Sequence, residues 1–223
     1  MIKPNLIVRT NRRTLSLTID KQGDLIVKAP RRMDIEDIFS FINQKNDWIS
    51  KKQNLVKSNL QKNQKIINYD VFLFCGKQYK KVYVDKQKKV EIENALFIVP
   101  QNLCYEKEIF LIKKWYIEMT KQILELRVSY FANLMQLNFD GLGIDNSKTR
   151  WGSCSKSGIL KFNLRIAMLP HKIIDYIIIH ELSHLIEFNH SKNFYNIISS
   201  IMPDWQIQRN KLKEYGFLLG LLR

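Results

Sequence analysis

The chain has 223 residues, 45% of them hydrophobic, enough for one substantial domain or two small ones around a real core, which excludes global disorder. It carries 36 Lys and Arg against 21 Asp and Glu, a net charge of +15; that balance can signal a polyanionic partner, while the joint richness in Lys, Ile and Asn fits a plain compositional bias equally well. No apolar run approaches the roughly 18 residues of a membrane helix, and Met1–Asn5 lacks the apolar segment of a secretory signal, so a soluble, cytoplasmic protein without membrane contact is expected.

Residues 6–29 read as a hairpin. Leu6–Val8 and Leu15–Ile19 alternate at period two, Lys21–Asp24 is a turn, and Leu25–Val27 resumes a strand that Pro30 ends. A helix is predicted over about 34–56, with Ile35, Ile38, Phe39, Ile42 and Trp48 spaced for one buried face and Asp34 as its cap. Strands follow at 71–74, 81–84 and 95–99. The basic run 77–89 reads as a solvated sheet edge that resists aggregation rather than a track for phosphates.

A long helix is predicted over 106–137, then short strands at 142–147, 150–154 and 159–165. Pro170 opens a helix reaching roughly Glu187, Ser191 caps another at 192–201, and Pro203 precedes a last one. Cys75, Cys104 and Cys154 are odd in number and form no CxxC pair, so free thiols in a reducing compartment are expected.

The chemistry concentrates in His180-Glu181-Leu182-Ser183-His184, an HExxH pattern. Positions four apart on a helix lie about 40° apart and one turn along, so both imidazoles leave one face and can share a Zn²⁺. Glu181 then stands beside the metal, where it can take a proton from a metal-activated water. The preceding Ile173–Ile179 is apolar nearly all round, so the helix is buried, and a histidine there is usually a satisfied core residue. Against that, three of the four histidines fall within eleven residues. His190 has the spacing of a third ligand, provided the helix breaks to bring it back, and Phe188-Asn189 supplies a break. The spacing is that of the metzincin motif, but Glu187 stands where those enzymes have Gly. Asp204 and Glu214 are the rival third ligands; a Pro-Asp pair more often caps a helix. Arg150 could bind a carboxylate or phosphate from a strand, Arg150–Cys154, that either packs or pairs with an extended substrate. Asn163 and Tyr195 are further candidate substrate-binding groups.

Three blocks resemble the YgjP-like metallopeptidase family, a group related to the WLM and SprT-like zinc proteases. They are Lys148-Thr149-Arg150-Trp151-Gly152-Ser153-Cys154-Ser155, Phe162-Asn163-Leu164 with Leu169-Pro170, and Ile174–Leu185 followed by Asn189-His190-Ser191 and Phe194. The close likeness covers about the last 80 residues. Ser183 and Tyr195 depart from the residues often found there. The resemblance implies one Zn²⁺ per chain on His180, His184 and His190, with Glu181 as the catalytic base, and a peptide or protein substrate.

The expected fold is α+β: a strand-rich N-terminal region with one long helix, 1–104, packed on a zincin-like catalytic half, 105–223. The expected function is that of a zinc metallopeptidase. One alternative is hydrolysis of nucleotide phosphoanhydrides, which the +15 charge suits. Another is a nucleic-acid-associated protein with structural zinc. A closed structural site wants four protein ligands, and only three good ones are found.

Overall fold

The computed structural model describes residues 2–20 and 22–222; Lys21, in the first predicted turn, lies outside them. The chain divides into two units, Met1–Gln64 and Lys65–Arg223.

In the first unit, Leu25, Val27 and Ala29 alternate along β3 (Leu25–Pro30) and are fully buried. The most apolar strand takes the centre, and the half-exposed β1 (Leu6–Thr10) and β2 (Ser16–Ile19) take the edges, in the order β1-β3-β2. β2 and β3 form the expected hairpin, whereas β1 runs parallel to β3, with Leu6 opposite Ile26. The single helix expected over 34–56 is two helices, α1 (Ile35–Gln44) and α2 (Asn46–Lys62). Lys45 leaves helical geometry between them, at φ −103 and ψ 13. The bend lets Ile38, Ile42 and Ile49 share one small core with β3. It also turns Trp48 outward, 46% exposed, where the helical period predicted burial.

The second unit holds two sheets and the remaining helices. After a single turn, α3 (Gln64–Ile67), come β4 (Val71–Phe74), β5 (Lys77–Val84), β6 (Glu91–Glu93) and β7 (Leu96–Pro100), ordered β4-β5-β7-β6. The basic strand β5 is therefore interior, not an edge: it pairs with β4 and β7; Lys77 and Lys80 are exposed, and Lys81 points to the other face, where it pairs with Glu108 of the following helix at 3.1 Å. Phe72 and Phe97 stack at 4.2 Å, and Phe97 meets Trp115 edge-on at 5.0 Å. Trp115 lies on α4 (Tyr105–Leu134), whose stripe of Ile112, Tyr116, Leu124 and Val128 is fully buried. These strands share a core with α4 and lie in the same unit with it.

The second sheet has the order β8-β10-β9, with β8 (Gly141–Asp145) parallel and β9 (Gly152–Cys154) antiparallel to β10 (Ile159–Asn163). A 3-10 turn, Leu164–Met168, leads into α5 (His171–Ser183), followed by α6 (Lys192–Ile201), α7 (Trp205–Glu214) and a last 3-10 turn. The architecture is mixed α+β. The β4–β5 turn docks on the segment before α5: the Cys75 and Gly76 amides donate to Ala167 and Met168 carbonyls at 2.7 and 3.2 Å. Arg127 of α4 grips Asp175 of α5 with two hydrogen bonds, 2.8 and 2.7 Å. All three cysteines are free. No helix among the described residues is long and apolar enough to cross a membrane.

Candidate metal centre

Helix α5 is buried on nearly every side: Ile173, Ile174, Ile177, Ile178, Ile179 and Leu182 are all in the core. It ends at Ser183, a turn earlier than expected. Ser183 Oγ bonds back to the Ile179 carbonyl at 2.7 Å, and the next amides make short i−3 bonds, His184 to Glu181, Leu185 to Leu182 and Ile186 to Ser183. Such tightening closes a helix end. Exposed residues at 186, 188 and 189 carry the chain round, and Ser191 caps α6 by accepting from the Phe194 amide. Asn163 and Ser191 are thus both caps, of the 3-10 turn and of α6.

The turn brings three imidazoles together. One ligand nitrogen from each of His180, His184 and His190 lies within 4.8 Å of the others. The Nε2 atoms of His180 and His190 are 3.2 Å apart. Phe194 forms a floor, with ring centroids 4.9, 4.6 and 4.8 Å from the three imidazoles. His184 Nδ1 faces the Glu187 carbonyl at 3.2 Å, which leaves its Nε2 for another partner.

The donor set fits a metal. Two nitrogens each about 2.0–2.1 Å from a tetrahedral ion stand about 3.3–3.4 Å apart, close to the His180–His190 separation. Burial, then His184 and His190, pull His180 down to about 3, so its lone pair is free at neutral pH. Burial and His190 lower His184 as well, against a rise from the Glu187 carbonyl. His180 Nδ1 is buried without a partner. Three imidazole nitrogens this close together, one ring with no hydrogen-bond partner at its other nitrogen, could hold a cation.

Glu181 lies against β9. A Cβ on Gly152 would sit 2.7 Å from Glu181 Cγ and Oε1, so only glycine fits there. Burial raises the Glu181 carboxyl to about 8, opposed by the charge of Arg150. Arg150 itself is exposed and 3.6 Å from Asp145. β9 is an edge strand of its sheet.

Asn163, read from sequence as a substrate group, is fully buried. Its amide donates to the Ser147 and Arg150 carbonyls, and its oxygen accepts from the amide and guanidinium of Arg165. Every polar valence is used inside the protein, so it holds the Arg150 segment rather than facing a substrate. Tyr195 is half-buried, its ring 6.4 Å from His190 and stacked on Trp205 at 4.7 Å. Asp204 caps α7 by position and is bonded to Gln208 at 2.7 Å; neither it nor Glu214 joins the histidine cluster.

Sequence reasoning missed Tyr176 and Arg209. The Tyr176 ring meets His180 edge-on at 5.8 Å, and burial holds its phenol up at about 12, so it stays a hydroxyl donor. Arg209 of α7 lies 5.5 Å from the Tyr195 ring, and its charge reaches His180 and Tyr176. Tyr176 stands four residues before His180 on the same helix, a spacing that was legible; Arg209 reaches α5 only through the tertiary fold.

No curated protein matches the chain. Among solved structures, the chain is similar to the crystal structure of the metallopeptidase zymogen of Pyrococcus abyssi abylysin, at 20% identity and a TM-score of 0.38, over 40% of this chain and 90% of that one. A family model described as YgjP-like, metallopeptidase domain, matches residues 13–215, which takes in the histidine cluster, Glu181, most of the first unit and nearly all of the second. The chain belongs to the YgjP-like metallopeptidase domain family, and is a metallohydrolase by that membership.

Proposed function

We propose that the chain is a zinc peptidase with a zincin-like catalytic half, in which His180, His184 and His190 hold one zinc ion and Glu181 is the general base. The observation that carries this reading is the convergence of three imidazole nitrogens within 4.8 Å, with one carboxylate beside them on the same helix. Imidazole donors suit zinc, and a three-ligand site that leaves a position open is the catalytic rather than the structural pattern.

Bound zinc would supply Lewis acidity, acidifying a water and polarising a carbonyl. The chain supplies the rest. Glu181 accepts the proton at its carboxylate and later passes it to the leaving amine. The burial that raises it to about 8 also makes it a strong acceptor once ionised, and Arg150 favours the ionised form. β9, at the edge of its sheet, offers backbone groups to an extended peptide by strand addition. Arg150, exposed beside it, is available to a carboxylate of the substrate. Tyr176 keeps its proton and can donate to an oxygen that gains charge. Phe194 excludes water from beneath the imidazoles and fixes their orientation.

The test is an unbiased screen. Zinc-loaded protein is incubated with a pooled peptide library and, separately, with nucleoside triphosphates, and products are read by mass spectrometry. Peptide cleavage that stops with chelator and returns with zinc is expected. Triphosphate hydrolysis without peptide cleavage would replace this reading with the phosphoanhydride one.

A further inference from the structure

The first unit carries charge out of proportion to its size. Residues 1–64 hold 13 Lys and Arg against 6 Asp and Glu, a net of +7, nearly half the charge of the chain in under a third of its length. In the same unit a groove of about 270 Å³ opens along β2, lined by Leu15, Ser16, Leu17, Phe41, Lys45 and Trp48. No acid lines it. β2 is an edge of its sheet.

The groove walls are aromatic and cationic. Trp48 is 46% exposed, an unusual position for the largest apolar side chain in a protein. Lys45 lies beside it, its ammonium 6.0 Å from the Phe41 ring. Across the groove Arg12 donates to Ser16 Oγ at 2.6 Å, and Arg13 next to it is exposed. One turn along α2 from Trp48, Lys52 is exposed too.

We infer that this groove is a binding site for single-stranded nucleic acid, with Trp48 and Phe41 as the stacking platform and Arg13, Lys45 and Lys52 as phosphate contacts. Bases of any sequence can stack on an exposed aromatic face, and cations around it track the backbone. A duplex buries its base faces and offers the groove only phosphates, so the aromatic pair selects the single strand. The groove is built by the first unit and the histidine cluster by the second, so the inference does not rest on the metal; chelating the metal should leave binding unchanged.

The experiment is fluorescence anisotropy of a labelled oligothymidylate of about 15 nucleotides, titrated with the full chain between about 50 and 200 mM salt. Parallel titrations use the matching duplex and phosphatidylserine vesicles. The single strand should bind more tightly than the duplex. Trp48→Ala should weaken it about 5- to 160-fold, the range for losing one stacked base, and Trp48→Phe should restore most of the affinity. The Arg13→Ala, Lys45→Ala double variant should flatten the log–log salt dependence by about 1.4, at about 0.7 per lost contact. Lys107→Ala, an exposed lysine of the second unit, should change little. Should Trp48→Ala lose its helical circular dichroism, Trp48→Leu, which keeps apolar bulk without an aromatic face, and Lys45→Gln carry the same comparison. Absence of binding at low salt would overturn the inference. So would equal affinity for duplex and single strand, an equal loss in Lys107→Ala, or Trp48-dependent binding to vesicles but not to the oligonucleotide.

Discussion

Gly152 allows the strand β9 to lie against Glu181, and a single methyl group should undo the arrangement. The Cβ of Gly152→Ala would stand 2.7 Å from Glu181 Cγ and Oε1 and 2.8 Å from Cδ, where ordinary contact begins at 3.4 Å. Relief needs a shift of about 0.7–1 Å. Glu181 is rooted in a buried helix and only 7% exposed, so the carboxylate must give way or β9 must lift. Displacing a catalytic group by about 1 Å costs on the order of 10²-fold in rate. Peptidase turnover should therefore fall about 100-fold in Gly152→Ala. The overpacking should cost about 1–3 kcal/mol of stability, little enough to assay a folded protein at 25 °C. Zinc content should not change, because the imidazoles rest on Phe194 and not on β9. Turnover and metal analysis on one preparation decide the matter. A variant cleaving within a few-fold of the parent would refute the idea that glycine at 152 sets the position of the base.

His190→Ala should weaken zinc binding by more than the roughly 10–100-fold typical of an outer-shell loss, while Asp204→Ala and Glu214→Ala bind as the parent does in a chelator-buffered titration. The metal-free protein should lose stability in acid. The buried His180 takes its proton only near pH 3 when folded, against an ordinary value of about 6.5. Between those limits the unfolded chain binds more protons at His180, but Glu181, held at about 8 against an ordinary value of 4.5, binds more when folded and offsets this above about pH 4.5. The fall in stability is therefore expected between about pH 4.5 and 3, at up to about 1.4 kcal/mol per unit, and urea midpoints at several pH values, with chelator present, measure the slope. Gly76→Ala combines a positive φ of 78° with a Cβ 2.7 Å from Pro170 Cγ and 3.0 Å from its Cα. It should cost about 2–4 kcal/mol in denaturant unfolding, from the backbone penalty and the clash together.

The histidine cluster was legible because its signals are local. A four-residue spacing, a helix that must end and a serine cap at 191 all lie within one short stretch, and the turn at 184–190 follows from them. The place where α5 stops was not legible: its last residues have good helical character, and the end is made by Ser183 bonding back to Ile179. Asn163 was misread because a polar residue close to a motif looks functional until its four hydrogen bonds are seen to be internal. Trp48 was misplaced because periodicity carries no sign of the bend at Lys45, which has neither proline nor glycine. The lysines of β5 looked like an edge because alternation reports on the faces of a strand, not on its neighbours. Tyr176 and Arg209 come together through contacts between α5 and α7, far apart in sequence, which no window of residues contains.

In the proposed mechanism three imidazoles hold the metal while Glu181 moves the proton, and one variant separates the two roles. Glu181→Gln keeps the size of the side chain against Gly152 and cannot accept a proton. Zinc per chain and peptide turnover are measured on the same samples of parent and variant. One zinc in each, with turnover lower by about 10²–10⁴-fold in the variant, is the predicted result; zinc lost along with activity, or turnover within a few-fold of the parent, would contradict it.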